Sequence, residues 1–265
     1  MKLSSSARWS LRLTTYLTLV IVYLPLLIVV ILSFNDSNAL VWPPRGFTTH
    51  WWSSIGHVES AREALLTSTK IGLVATVIAV VLGSLLSFAL QRHDFFGKNA
   101  ISFIAVLPIA LPGIVTGVAL RNTFIRFGWD LGYTSVIVGH ATFCIVVVYN
   151  NVIARLRRTS PNLREASSDL GATPFQTFRF VTWPLTRSAI AAGAILAFAL
   201  SFDEVVVTTF TAGAGVSTLP QWILNNFSRP NVLPYVTVVA TLVMIVSLPI
   251  AWLAQRLSDG PGGAQ

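Results

Sequence analysis

Two adjacent carboxylates, Asp203 and Glu204, are the residues best placed to act on a ligand, because they interrupt an otherwise apolar stretch. Ionisable groups inside hydrophobic segments are costly, and they generally mark a pathway or have a named partner. The pair predicts either attraction of a cationic amine or a structural bond to a nearby loop, with Arg121 or Arg229 as partner. Both interpretations are open at the level of sequence.

His140 is a second titratable residue in an apolar run. An intramembrane histidine serves either as a proton relay or as a hydrogen-bonded packing residue. We favour packing, because no acidic residue lies near it in the sequence.

Motifs for catalysis are absent from the sequence. It contains no G-x-x-x-x-G-K-[ST] phosphate loop, no H-E-x-x-H zinc pair and no G-x-S-x-G nucleophile turn. Cys144 is the only cysteine, so neither a disulfide within the chain nor a cysteine metal cluster is possible. We therefore expect no enzyme and no cofactor or metal bound by this chain. Any energy from ATP must come from a separate subunit.

The composition excludes an ordinary soluble enzyme. Of the 265 residues, 54% are hydrophobic and 11% are charged, whereas soluble domains carry roughly 25% charged residues. The net charge of +8 indicates either a nucleic-acid or membrane surface or the topology signal of a membrane protein.

Six stretches approach the roughly 20 apolar residues that a membrane-spanning helix needs. The first is too long for the core of a signal peptide, so we expect it to be retained. The chain is therefore predicted to be an all-α membrane protein with six transmembrane helices, at residues 14–34, 71–90, 100–120, 134–154, 188–202 (continuing through 205–210) and 232–254.

The basic residues set the predicted orientation. With the amino terminus inside, 12 of the 18 Lys and Arg residues lie on the cytoplasmic side, and such an excess is typical of cytoplasmic loops. We therefore expect a multi-pass protein with both termini cytoplasmic, in contact with membrane lipid and not with nucleic acid.

The third span contains two prolines four residues apart, Pro108 and Pro112, followed by Gly113 and Thr116. Proline frees backbone carbonyls that hydrocarbon cannot satisfy, so the segment must face protein or a wet cavity. It is either a packing kink or a pathway-lining helix. Trp42, in the long loop after the first span, is either an interfacial anchor or a ligand contact.

The loop at residues 155–187 has clear helix signals. Ser160 with Pro161 marks one helix start, and Thr173 with Pro174 marks a second, which we expect Pro184 to limit. Gly171 lies where a left-handed cap is needed between the two helices. An apolar stripe, Leu163, Ala166 and Leu170, indicates an exposed docking surface for a partner.

These loop residues carry a resemblance to a known family. Residues 165–172, E-A-S-S-D-L-G-A, with W-P-L at 183–185, resemble the E-A-A signature of permease subunits in ATP-binding-cassette (ABC) importers. Further segments resemble the second permease of the spermidine/putrescine type, so that the resemblance covers about residues 16 to 257. These segments are S-F-N at 33–35, G-F-T-T at 46–49, T-F-C at 142–144, S-F-D-E-V-V-V at 201–207 and L-P at 219–220.

The resemblance implies a type I ABC importer permease fold in the bacterial inner membrane, with one transmembrane domain at residues 1–257 and a disordered tail at 258–265. The implied partners are a cytoplasmic ABC ATPase dimer holding ATP and Mg, a sister permease forming a heterodimer, and a periplasmic solute-binding protein. The implied ATPase-docking residues are Leu163, Glu165, Ala166, Asp169, Leu170 and Gly171. The expected substrate pathway includes Pro112, Gly113, Thr116, Asp203, Glu204 and Trp42.

The substrate implied by the resemblance is a polyamine or related amine. Polyamine-type permeases often place an acidic residue after the second proline of the third span, and this chain has Gly113 there. An amino acid or another small organic solute is therefore the alternative cargo. A stand-alone secondary transporter is a further alternative, although neither inverted repeats nor buried coupling charges are evident.

Overall fold

The computed structural model describes residues 4–39, 41–92, 95–160 and 162–259. Within these described residues, five helices are long and apolar enough to cross a membrane, and one sharply bent pair raises the number of spans to as many as six. The prediction of an all-α membrane protein is confirmed. The five helices are Ser6–Leu32, Glu59–Gln91, Tyr133–Arg158, Pro174–Asp203 and Leu233–Leu253, and the bent pair is Lys98–Ala110 with Gly113–Arg126.

The chain divides into two compact units, and the smaller one comprises residues 1–59 and 223–246. Its helices are α1 (Ser5–Leu32), α2 (His50–Ser54) and the first part of α12 (Leu233–Asp259). Two backbone hydrogen bonds join the ends of the loop that follows α1. They run from Asp36 N–H to the Gly46 carbonyl (3.1 Å) and from Thr48 N–H to the Phe34 carbonyl (2.7 Å). The apolar side chains of α1 from Trp9 to Leu27 are exposed, as lipid-facing residues are, whereas those from Ile28 to Leu32 are half-buried.

The larger unit comprises residues 60–222 and 247–265, and its core is formed by α6 (Tyr133–Arg158) and α9 (Trp183–Asp203). Small residues let the backbones approach closely, as is common between membrane helices. A Cβ atom on Gly83, in α3 (Glu59–Arg92), would lie 2.8 Å from the Ile145 carbonyl oxygen of α6. A Cβ atom on Gly193 of α9 would lie 3.2 Å from the Cα atom of Val148.

The third predicted span, residues 100–120 interrupted by Pro108 and Pro112, consists of two helices joined by a sharp bend. Helix α4 (Lys98–Ala110) and helix α5 (Gly113–Arg126) meet at an angle of 106°. A residue before proline is sterically driven out of the helical region, and Leu111 is accordingly extended, with ψ of 146°. Pro108 is tolerated inside α4, so the second proline, Pro112, makes the break.

The loop after α6 contains α7 (Asn162–Asp169) and α8 (Pro174–Thr177). The prediction that Pro184 limits the second helix is wrong, because α8 continues through a π-helical turn, Phe178–Thr182, directly into α9. In this wide turn the Trp183 N–H bonds to the carbonyl of Phe178, five residues back. Pro184 then falls in the first turn of α9, where its missing N–H costs little.

The fifth span ends earlier than predicted. Helix α9 stops at Asp203, and Glu204 is extended (φ −74°, ψ 114°). Residues 205–210 therefore do not extend the same helix, and a separate short helix, α10 (Val206–Thr211), begins. It is followed by α11 (Leu219–Asn226) and by α12, which ends at Asp259. The rest of the predicted disordered tail, residues 260–265, lies outside the described residues.

Candidate docking helix and acidic break

Helix α7 is largely exposed, with Arg164 and Ser167 half-buried. All six residues predicted to dock an ATPase are exposed, and Leu170 is the extreme case, with 89% of its surface accessible. An apolar side chain so exposed, directly after a helix, indicates a surface built for a partner. The six are Leu163, Glu165, Ala166, Asp169, Leu170 and Gly171.

Gly171 ends α7 in the left-handed conformation that the sequence predicted, with φ of +80°. The Ala172 N–H bonds to the Ser167 carbonyl at 3.1 Å and the Gly171 N–H to the Ser168 carbonyl at 2.9 Å. This pair of bonds is the Schellman motif, which satisfies the last carbonyls of a helix. At the other end, Pro161, predicted to open the helix, lies outside the described residues.

Helix α7 is fastened to the helix that follows it. The hydroxyls of Ser167 and Thr177 are hydrogen-bonded at 3.0 Å. Thr173 and Gln176 form a reciprocal capping box at the start of α8, with the Thr173 N–H 2.7 Å from Gln176 Oε1. Since α8 runs without a gap into α9, the segment Pro174–Asp203 is one helical rod attached to α7 at its first turn.

A cavity of about 550 Å³ opens beside α7. It is lined by polar residues of α7, including Glu165 and Asp169, and by apolar residues that include Phe88, Leu156 and Phe178. The predicted docking residues therefore fall into two groups. Glu165 and Asp169 face this cavity, whereas Leu163, Ala166 and Leu170 do not line it.

At the opposite end of the rod lies the acidic break between α9 and α10. The Glu204 carboxylate accepts a hydrogen bond from the Val207 N–H at 2.8 Å, which satisfies one of the free amides at the start of α10. The Asp203 side chain is exposed, and no hydrogen bond or ion pair of its carboxylate occurs among the described residues. The two adjacent acids thus have different surroundings.

The arginines considered as partners for this pair bond elsewhere. Arg121 donates to the carbonyl of Phe210 at 3.4 Å, at the last turn of α10, and Arg229 donates to the side-chain oxygen of Asn226 at 3.3 Å. Glu204 and Arg121 therefore act on the two ends of α10, where a negative and a positive group respectively favour the helix dipole.

Helix α10 packs on a surface of small residues from α5 and α6. A Cβ atom on Gly117 would lie 2.7 Å from Phe210, one on Gly139 would lie 3.1 Å from Val207, and one on Gly113 would lie 3.4 Å from Val206. The hydroxyl of Thr116, on the same helix as Gly113, is buried without a hydrogen-bond partner among the described residues.

The predicted pathway residues of the larger unit lie on both sides of α10: some belong to α5, which packs against α10, and the two acids lie at the break before it. Pro112 starts α5, and Gly113 contacts the helix that begins three residues after Asp203. Trp42 belongs to the smaller unit, where its ring is exposed. Sequence reasoning missed that residues 206–211 form a separate docked helix. The spacing of Gly113 and Gly117 was the available signal.

Residues 79–260 match the family described as "Binding-protein-dependent transport system inner membrane component". The spermidine/putrescine transport system permease protein PotC of Shigella flexneri is 34% identical over 91% of this chain and 92% of the relative. The putrescine transport system permease protein PotI of Escherichia coli (strain K12) is 34% identical over 84% of this chain and 81% of the relative.

Among solved structures, a bacterial ABC transporter involved in the import of the acidic polysaccharide alginate has a chain of the same fold. Its TM-score is 0.70 at 14% identity, covering 96% of this chain and 95% of that chain. At this identity the likeness concerns the fold only.

The chain belongs to the family of inner-membrane components of binding-protein-dependent transport systems. It is a multi-pass permease subunit of an ABC importer, as the loop signature predicted. Membership of this family argues against a stand-alone secondary transporter.

The hydrogen bond that Glu204 accepts at the start of α10 can be tested by substitution. Glu204→Leu removes the acceptor at the start of α10 and should lower the free energy of unfolding by about 1 kcal/mol. Glu204→Gln keeps an acceptor oxygen and should stay within a few tenths of a kcal/mol of the parent. The measurement is the thermal unfolding midpoint in detergent. Equal losses for both variants would show that the negative charge, and not the acceptor, stabilises the break.

Proposed function

We propose that this chain forms half of the passage through which an ATP-driven importer moves a cationic polyamine, or a related amine, out of a periplasmic solute-binding protein. Its relatives are named as permeases for spermidine and putrescine. The observation that carries the proposal is the helical rod Pro174–Asp203, which joins an exposed docking helix to an exposed carboxylate. Thirty residues at 1.5 Å each correspond to about 45 Å.

Energy comes from a cytoplasmic ABC ATPase dimer that binds ATP and Mg, because the sequence has no phosphate loop of its own. The apolar side chains of Leu163, Ala166 and Leu170 enter a groove of the ATPase. Glu165 and Asp169, beside the cavity, receive cationic groups of that partner. Closure of the ATPase pair pushes α7, and the bond between Ser167 and Thr177 passes the movement to the rod.

The cation is attracted by Asp203. Glu204 already accepts a backbone hydrogen bond, whereas the Asp203 carboxylate is exposed at the end of α9. A side chain at position 113 would meet Val206 of the docked helix. Asp203 therefore supplies the countercharge in this chain.

The second permease of the importer is a sister subunit, and the remaining apolar surface faces lipid. Both termini lie in the cytoplasm, which places α7 on the ATPase side and the acidic break towards the periplasm. The lack of an acid at Gly113 supports a second cargo class, an amino acid or another small organic solute. Uptake assays with both classes of solute decide between them.

The docking proposal is tested at Gly171. Gly171→Val forces a side chain into left-handed backbone, which costs roughly 1–2 kcal/mol, and should reduce the ATPase retained during purification about tenfold. Gly215→Val is the matched control, because Gly215 has the same conformation (φ +82°) and equally open surroundings in another loop. Retention of the ATPase by both variants, or its loss from both, would count against docking at α7.

The cation proposal is tested at Asp203. Asp203→Asn removes the charge and keeps the shape, so amine uptake by vesicles should fall about tenfold, equivalent to roughly 1.4 kcal/mol, with assembly unchanged. Asp130→Asn, which neutralises another exposed aspartate, serves as control and should transport normally. Uptake by Asp203→Asn at the parent rate would contradict the proposed contact.

A further inference from the structure

His140 links three helices of the larger unit. It lies in α6, is completely buried, and uses both ring nitrogens. Nδ1 is 2.7 Å from the Ser201 hydroxyl in the last turn of α9, and Nε2 is 2.8 Å from the Thr208 hydroxyl in α10. One imidazole is thus bonded to the helix before the acidic break and to the helix after it.

The directions of these bonds follow from the hydroxyl protons. The Thr208 hydroxyl donates to the Glu204 carbonyl at 2.7 Å, so it has only an acceptor left for His140. Nε2 therefore carries the proton, and Nδ1 accepts from Ser201. The chain of bonds runs from Ser201 through the ring and Thr208 to the backbone of Glu204. Every member is buried except Glu204, which is half-buried.

The segment between the two bonded hydroxyls, residues 202–207, contains both acids. Its backbone leaves the helix at Glu204 and resumes it at Val206. A non-helical break at membrane depth needs its backbone groups satisfied. The Glu204 carbonyl is satisfied by Thr208, which the ring orients in turn. Because both ends of this segment are held by His140, the position from which the Asp203 side chain projects is held as well.

We propose that His140 is a positioning residue of the transport pathway: by holding Ser201 and Thr208 together, it sets the α9–α10 break so that the Asp203 carboxylate meets the cation. This inference rests on the proposed contact between Asp203 and the substrate. It differs from a packing role, because a residue that only fills space would affect folding and not the contribution of Asp203.

The test removes the Thr208 hydroxyl, which makes both the bond to His140 and the bond to the Glu204 carbonyl, and compares hydroxyl with methyl. Thr208→Val should lower amine uptake about tenfold per inserted complex, within the range of network interactions, and Thr208→Ser should restore it to within about twofold. The matched control is Thr209→Val, because Thr209 is exposed and bonds only to the Val205 carbonyl in its own helix. Ser201→Ala removes the bond between the Ser201 hydroxyl and His140 Nδ1, and it replaces Thr208→Val in the test if that variant inserts poorly.

The deciding comparison combines each variant with Asp203→Asn. If His140 acts through Asp203, then Thr208→Val causes no further loss in the Asp203→Asn background, and the same holds for Ser201→Ala. Losses that multiply would overturn the positioning role while leaving the Asp203 contact intact. If Asp203→Asn alone transports at the parent rate, the proposed contact fails, and this inference fails with it.

Discussion

Inside a bilayer every backbone N–H and carbonyl must find a partner within the protein, and the irregular features of this chain all follow from that constraint. The π-helical turn before Pro184 keeps the helix hydrogen-bonded past a residue without an N–H. At the break, the Thr208 hydroxyl donates to the Glu204 carbonyl, and the Glu204 carboxylate accepts from the Val207 N–H. The bend at Pro112 lies where α5 meets the docked helix α10.

The same constraint explains why one continuous helix connects two distant sites, the docking helix α7 and the acidic break. The helix from Pro174 to Asp203 is continuous, and in the proposed cycle a displacement at its first turn reaches its far end. Ser167 and Thr177 join the docking helix to this rod. The glycines of α5 and α6 let α10 pack closely against both helices.

The sequence predicted the features that depend on local chemistry and on apolar length. Gly171 was predicted in the left-handed cap and the Thr173 cap was predicted before Pro174, because capping depends on a few adjacent residues. It did not predict the 106° bend at Pro112 or the separate α10. Those depend on contacts between remote positions such as Gly117 and Phe210. The same is true of His140, whose partners are 61 and 68 residues away in the chain.

The central claim is that ATP binding by the partner ATPase, acting through α7, changes the surroundings of Asp203. The most direct measurement is the rate at which a membrane-impermeant maleimide modifies Asp203→Cys in the reconstituted complex, with and without ATP under conditions that block hydrolysis. The native thiol, Cys144, is buried and does not interfere. The account predicts a severalfold change in rate on addition of ATP. An identical rate in both conditions would contradict it.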